Sequence, residues 1–326
     1  MRAAVITRPG GPEVLEVREV EPPAVGADDV LVRVRASGLN RADVHQRKGG
    51  YPAPPGSPPD IPGLEYAGEI VEMGSAVRGH AVGNRVFGIA GGGAHAELIA
   101  VHASTVARAP ANLSWPDAGA IPEAFITAHD ALVTQARMRQ GDRVLIHAVG
   151  SGVGLAAVQL VRAMGAVPYG TSRTADKIDR AMPFGLEAGA PIDDPAGLPE
   201  IAKAWAPNGF DIVLDLVGGP YTPLSIETLA IRGRLMLVGL VAGATATFDL
   251  RRVLSKRVSI TGTVLRARSI PEKATATLAF IRDLGEHFDT GRLRAVVDRV
   301  YTLADIANAH RRMESNESFG KVVVVP

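Results

Sequence analysis

The sequence predicts an α/β chain of two domains, a β-rich domain followed by a doubly wound parallel sheet. Three observations carry this. Residues 1–118 hold short alternating, β-branched segments separated by Gly and Pro. From about residue 119, strands alternate with helical stretches, the pattern of a parallel sheet with crossover helices. The length of 326 residues is long for one core and natural for two.

In the first part, Val30–Ala36 alternates along a strand, and Ile61–Val71 and Gly83–Phe87 are short apolar segments. The run Gly49-Gly50-Tyr51-Pro52-Ala53-Pro54-Pro55-Gly56 cannot be regular structure. Its prolines lack N–H donors, which predicts a stiff exposed loop.

In the second part, Arg143–His147 reads as a strand and Gly154–Met164 as a helix closed by Gly165. Val167–Gly170, Phe210–Leu214, Arg234–Val238 and Val258–Thr261 continue the strands, with helices at Asp176–Ala181 and Leu224–Ala230. A helix over Pro271–Leu284, an amphipathic piece at Leu303–Met313 and an apolar strand at Lys321–Val325 close the chain. So apolar a strand needs a sheet, and the expectation is that it returns to the first domain. The predicted domains are therefore 1–118 with 266–326, and 119–265.

Composition excludes several classes. Lys+Arg number 35 against 34 Asp+Glu, so no basic field points to a nucleic acid or an anionic membrane. The apolar runs Leu155–Val161 and Val322–Val325 are too short to span a bilayer. Met1–Ile6 followed by Pro9-Gly10-Gly11 reads as strand and turn, not as a signal peptide. The absence of cysteine removes disulfides, thiolate catalysis and cysteine-ligated zinc, and fits a reducing cytoplasm. His45, His95 and His102 form no ligand spacing on a helix and read as surface or packing residues; His147 ends a core strand.

The segment Val144–Ala157 carries the sharpest chemistry. It runs strand, then Val149-Gly150-Ser151-Gly152-Val153-Gly154, then helix. Small residues let the backbone approach a pyrophosphate, whose charge the free N–H groups and dipole of the new helix would hold. Gly154 would permit close helix–strand packing. After the next strand comes Gly170-Thr171-Ser172-Arg173-Thr174, with Lys177 nearby. An acidic residue there would grip a ribose 2′-hydroxyl, whereas a hydroxyl and two cations suit the 2′-phosphate of NADP.

With that turn placed, the chain resembles the medium-chain dehydrogenase/reductase superfamily, and within it the quinone oxidoreductases of the zeta-crystallin type that lack zinc. The likeness rests on Gly38-Leu39-Asn40-Arg41-Ala42-Asp43, Gly63-Leu64-Glu65-Tyr66-Ala67-Gly68, Ile121-Pro122-Glu123-Ala124, the glycine-rich turn and Arg312-Met313-Glu314-Ser315-Asn316-Glu317. Asn40–Tyr51 and Ser151–Gly154 look closest to the tumour-suppressor-inducible branch. The resemblance implies a GroES-like catalytic domain, a Rossmann cofactor domain, a cleft between them, and a homodimer or homotetramer. The apolar strand Val258–Thr261 suggests an edge at which copies could pair.

The resemblance also implies a site. Zinc-containing relatives have a cysteine where Asn40 stands and a histidine where Leu64 stands, so no zinc is expected. Asn40 and Thr127 would lie near the nicotinamide, and Tyr51 would hang over the cleft as a stacking surface and proton donor. Ser151, Gly152, Val153 and Gly154 would hold the pyrophosphate, the Ser151 hydroxyl facing the cofactor. Ser172, Arg173 and Lys177 would meet the 2′-phosphate. Gly239 and Leu240 would back the nicotinamide, and Val264 and Leu265 close the pocket. Many relatives have a tyrosine near residue 192, where this chain reads Pro191-Ile192-Asp193-Asp194.

The activity so implied is NADPH-dependent hydride transfer to a quinone or related small electrophilic carbonyl. A quinone gains aromaticity on reduction and needs no Lewis acid, unlike an ordinary ketone. The alternative within the superfamily is reduction of an enone or alkenal double bond. Some zeta-crystallin relatives serve as lens proteins or bind AU-rich RNA, but 5% aromatic residues and no basic face give such a role little footing here.

Overall fold

The computed structural model describes all residues, 1–326. The chain forms two compact units, Met1–Ile126 with Leu265–Pro326, and Thr127–Val264.

The first unit opens with an antiparallel pair, β1 (Arg2–Ile6) and β2 (Leu15–Glu19). Then follow β3 (Asp29–Leu39), helix α1 (Arg41–Arg47), β4 (Glu65–Met73), β5 (Arg85–Ile89), β6 (Leu98–His102) and β7 (Val106–Arg108). Alternation in β3 turns Val30, Val32 and Val34 onto a core with Tyr66, Ile70 and Val86. The proline-rich run near residue 51 has no regular structure, as its missing donors require. Its tip is exposed, but Tyr51, Ala53 and Pro54 are half-buried.

Helix α2 (Trp115–Gly119) packs on β3 and β4, with Gly119 against Ala36: a Cβ on Gly119 would meet the Ala36 Cβ at 2.8 Å. This packing keeps residues 115–126 with the first unit. The two compact units divide inside α3 (Pro122–His129), at 126/127, and again at 264/265.

The second unit contains β8 (Arg143–Ile146), α4 (Gly152–Ala163), β9 (Val167–Ser172), α5 (Ala175–Ala181), β10 (Ala188–Pro191), α6 (Leu198–Trp205), β11 (Phe210–Asp215), α7 (Tyr221–Thr228), β12 (Leu229–Leu237), α8 (Leu250–Lys256) and β13 (Ser259–Gly262). All strand pairs are parallel, in the order β10-β9-β8-β11-β12-β13. The chain winds outward from β8 and then, from β11, the other way. A crevice forms at such a switch point, beyond the carboxyl ends of the strands. The helix expected over Leu224–Ala230 begins earlier and ends at Thr228, because Leu229 already pairs with Phe210 in the sheet.

The remaining elements, α9 (Ile270–Asp289), β14 (Val297–Thr302), α10 (Ile306–Glu314) and β15 (Lys321–Val325), belong to the first unit. β15 pairs antiparallel with β3 and parallel with β14, burying Val322, Val323 and Val324. The terminal apolar strand thus does return to the first sheet, whose order is β14-β15-β3-β4-β5-β7 with β6 on β3.

Candidate active site

The glycine-rich turn joins β8 to α4 at the switch point. Ala148 takes a left-handed conformation (φ 52°), and Val149 N–H donates to Thr171 O at 3.0 Å. A Cβ on Gly154 would collide with the Ala148 carbonyl and lie 2.8 Å from the Val149 Cα, so only glycine allows the helix this close to the strand. Ser151 caps α4. Its hydroxyl donates to Ala148 O at 2.8 Å and accepts from Gly154 N–H at 3.1 Å. The hydroxyl expected to face a cofactor is thus engaged within the turn. The N–H groups of Gly152 and Val153, in the first turn, are those a helix start leaves for an anion.

Lys177, on α5, lays its stem over this turn: a Cβ on Gly150 would meet the Lys177 Cδ at 2.8 Å. Ser172 ends β9 and is buried, while Arg173 is exposed. The region also gains a ring that the sequence lacks at residue 192. Tyr221, from α7, donates its hydroxyl to Ile192 O at 3.2 Å and packs edge-on against His147 at 5.2 Å. Burial raises the Tyr221 phenol, Asp193 adds to this, and Arg173 opposes it. His147 is a satisfied core imidazole, bonded to Thr171 and Ser225 hydroxyls at 2.8 Å each.

Gly239 follows β12, and a Cβ there would collide with the Leu216 carbonyl. Leu240 and Val264 are 55% and 49% exposed, so these apolar side chains are left uncovered within their unit. Ser151–Gly154, Ser172–Lys177, Gly239–Leu240 and Val264 all lie at or just beyond the carboxyl ends of one parallel sheet. Thr127 is buried on α3. Asn40, Tyr51 and Leu265 belong to the first unit.

There Asn40 caps α1 and is held from both ends. Its amide donates to Glu65 Oε1 at 3.0 Å, and its Oδ1 accepts from Lys321 Nζ at 2.6 Å. Lys321 Nζ also lies 2.5 Å from Glu65. Asp43 accepts from Gly63 N–H and Asn40 N–H, both at 2.8 Å. Burial alone would raise Asp43, but His95, the Asn40 N–H and His310 hold it below the usual carboxylate range. Zinc does not fit this donor set. Leu64 offers no ligand atom, an ammonium already sits between Asn40 and Glu65, and no group of three His, Asp or Glu side chains could hold a metal.

Tyr51 is braced by Arg266, a residue the sequence reading passed over. The Arg266 guanidinium lies 4.9 Å from the Tyr51 ring centre, and it donates to Tyr51 O at 3.1 Å and Gly91 O at 2.8 Å. Burial raises the Tyr51 phenol, Arg266 opposes this and Glu123 adds to it. The hydroxyl therefore keeps its proton at neutral pH. Glu65, Glu123 and Lys321 were also missed. Glu65 and Glu123 stand inside two of the motifs that carry the resemblance, and Lys321 is the lone charge opening an apolar strand.

Comparison with known proteins agrees with this architecture. Residues 26–111 match the alcohol dehydrogenase GroES-like domain, and residues 152–282 match the family described as zinc-binding dehydrogenase. A quinone oxidoreductase of Lama guanicoe is 31% identical, over 100% of this chain and 97% of its own. A mycobacterial protein solved with NADPH superposes with a TM-score of 0.89 at 26% identity, over 100% of both chains. The CurK enoyl reductase superposes with a TM-score of 0.86 at 26% identity, over 99% of this chain and 98% of its own. The chain is an oxidoreductase of the medium-chain dehydrogenase/reductase superfamily, and it belongs there with the quinone oxidoreductases.

Proposed function

We propose that the protein reduces quinones with NADPH and without a metal. The observation that carries this reading is the set Asn40, Leu64, Glu65 and Lys321. Where zinc relatives polarise a carbonyl with a cation, this chain holds a lysine ammonium already paired to Glu65. An acceptor that needs no Lewis acid matches such a site.

When bound, NADPH supplies the hydride. Gly152 and Val153 N–H groups would hold its pyrophosphate, and Ser172, Arg173 and Lys177 its 2′-phosphate. Gly239, Leu240, Thr127, Val264 and Leu265 would flank the nicotinamide. The neutral Tyr51 phenol would stack on a planar acceptor and donate to its oxygen. No helix is long and apolar enough to cross a membrane. Strand β13 is paired only on its β12 side, and with exposed Ile260 it supports pairing of two copies at this edge.

Reduction of an enone double bond is the second reading, favoured by the likeness to an enoyl reductase. Initial rates of NADPH and NADH oxidation with a naphthoquinone, a short alkenal and a simple ketone test both. Turnover of the quinone above the others supports the first reading. Turnover of the alkenal alone supports the second, and preference for the simple ketone refutes both.

A further inference from the structure

Three segments that would flank the nicotinamide meet at one threonine, Thr263. Thr127 is buried near the end of α3, and Asp130, also buried, follows it by one helical turn. There the helix widens. Asp130–Gln135 form a π-helical turn, in which Ala136 N–H donates to Ala131 O, five residues back, at 2.9 Å. Such turns are rare and recur at functional sites. An α-helix would rotate residues five apart by about 140°. The wider turn instead brings Gln135 back to Asp130.

The result is a closed ring of side chains. Gln135 Nε2 donates to Asp130 Oδ2 at 2.5 Å and to Thr263 Oγ1 at 2.7 Å. Thr263 Oγ1 in turn donates to Asp130 Oδ2 at 3.2 Å. Thr263 directly follows β13 and precedes Val264. Its N–H donates to Leu237 O at 2.9 Å, at the end of β12 and two residues before Gly239. One residue is thus tied, through backbone and side chain, to the segments that carry Thr127, Gly239–Leu240 and Val264. All of them lie in the second unit. Gln135 and Thr263 are only half-buried, so water could satisfy their polar groups. The ring is therefore worth more as geometry than as stability.

We infer that Asp130, Gln135 and Thr263 are positioning residues for hydride transfer, their ring fixing Val264 relative to Thr127 and so the walls against which the nicotinamide would sit. The inference rests on the reductase reading above. None of the three needs to touch cofactor or acceptor. Hydride transfer demands reacting atoms about 3–3.5 Å apart, and a misplacement of about 1 Å can cost about 10²-fold.

Thr263→Val removes the hydroxyl at nearly constant volume. It should lower kcat by about tenfold, and Thr263→Ser should restore it. Gln135→Met should cost a similar factor, and joining it to Thr263→Val should add little, because either change opens the same ring. Affinity for adenosine 2′,5′-bisphosphate, which lacks the nicotinamide, should be unchanged by calorimetry in every variant. The fluorescence of bound NADPH, which reports on the nicotinamide, should change in Thr263→Val and return in Thr263→Ser. Circular dichroism checks folding, and Gln135→Met carries the test if Thr263→Val does not fold. A parallel loss of bisphosphate affinity would show a merely structural ring and overturn the inference. Unchanged kcat and unchanged nicotinamide fluorescence in a folded variant would overturn it too. NADPH oxidation with no acceptor of the panel by the unmodified protein would instead sink the reductase reading; the fluorescence measurement needs no acceptor and keeps the two failures apart.

Discussion

Lys321 Nζ, on the last strand, lies 2.5 Å from Glu65 on β4, and both side chains are buried. Removing one partner leaves the other as an uncompensated buried charge. Lys321→Met should therefore destabilise the protein by about 3–5 kcal/mol. Glu65→Gln in the same chain should return part of the loss, since no carboxylate is then stranded. Denaturant unfolding of the two variants checks the pair.

Ser151→Ala removes the cap of α4, because the hydroxyl accepts from Gly154 N–H. The expected cost is about 1 kcal/mol of stability. NADPH affinity should stay near that of the unmodified protein, since the hydroxyl is engaged inside the turn. A large loss of affinity at unchanged stability would return the hydroxyl to the cofactor.

Ser151 shows where sequence reasoning reached its limit. The strand-turn-helix order around Gly150–Gly154 was legible, because glycine spacing and apolar runs are local. The direction of one hydroxyl was not, because local hydrogen bonds compete for it. The return of Lys321–Val325 was legible from apolar content alone. The Asn40–Glu65–Lys321 network was not, since it joins residues as far as 281 positions apart. Tyr221 beside Ile192 and Arg266 beside Tyr51 were hidden for the same reason.

Lys177 should set the cofactor preference. Its stem lies on Gly150, beside the pyrophosphate turn, and its charge is suited to a 2′-phosphate. NADPH should be preferred over NADH by at least about tenfold, roughly 1.4 kcal/mol. Lys177→Ala should erode that ratio through affinity for NADPH, with NADH binding little changed. Titration of protein fluorescence with each cofactor measures it.

His310 should make the fold acid-sensitive. Burial is the main cause that pushes its imidazole down to about 3. Arg47 donates to its Nδ1 at 3.1 Å, which requires that nitrogen to be unprotonated. Below the unfolded value of 6.5 the unfolded chain binds a proton that the folded one refuses. Stability should thus fall as pH drops from about 6.5 toward 3, by up to about 1.4 kcal/mol per pH unit from this group. Asp43, held below its usual value, adds a loss of the same sign. His310→Gln should flatten the slope between pH 6 and 4, roughly the window in which only the unfolded imidazole titrates. Unfolding curves across that range would show it.

Tyr51 and Arg266 make separable contributions. Arg266 holds the loop by donating to Tyr51 O and Gly91 O, and its guanidinium covers one face of the ring. Tyr51→Phe keeps the ring and loses only the hydroxyl, so it should lower kcat and spare acceptor KM. Tyr51→Ala loses the stacking surface too, and should both lower kcat and raise KM. For an acceptor already electrophilic the losses should be about tenfold, below the 10²–10⁴ of an essential acid–base group. Arg266→Met leaves the phenol in place but releases its loop, so KM should rise more than kcat falls. If Arg266→Met instead lowered kcat at constant KM, the guanidinium would be acting on the chemistry and not on the position of Tyr51.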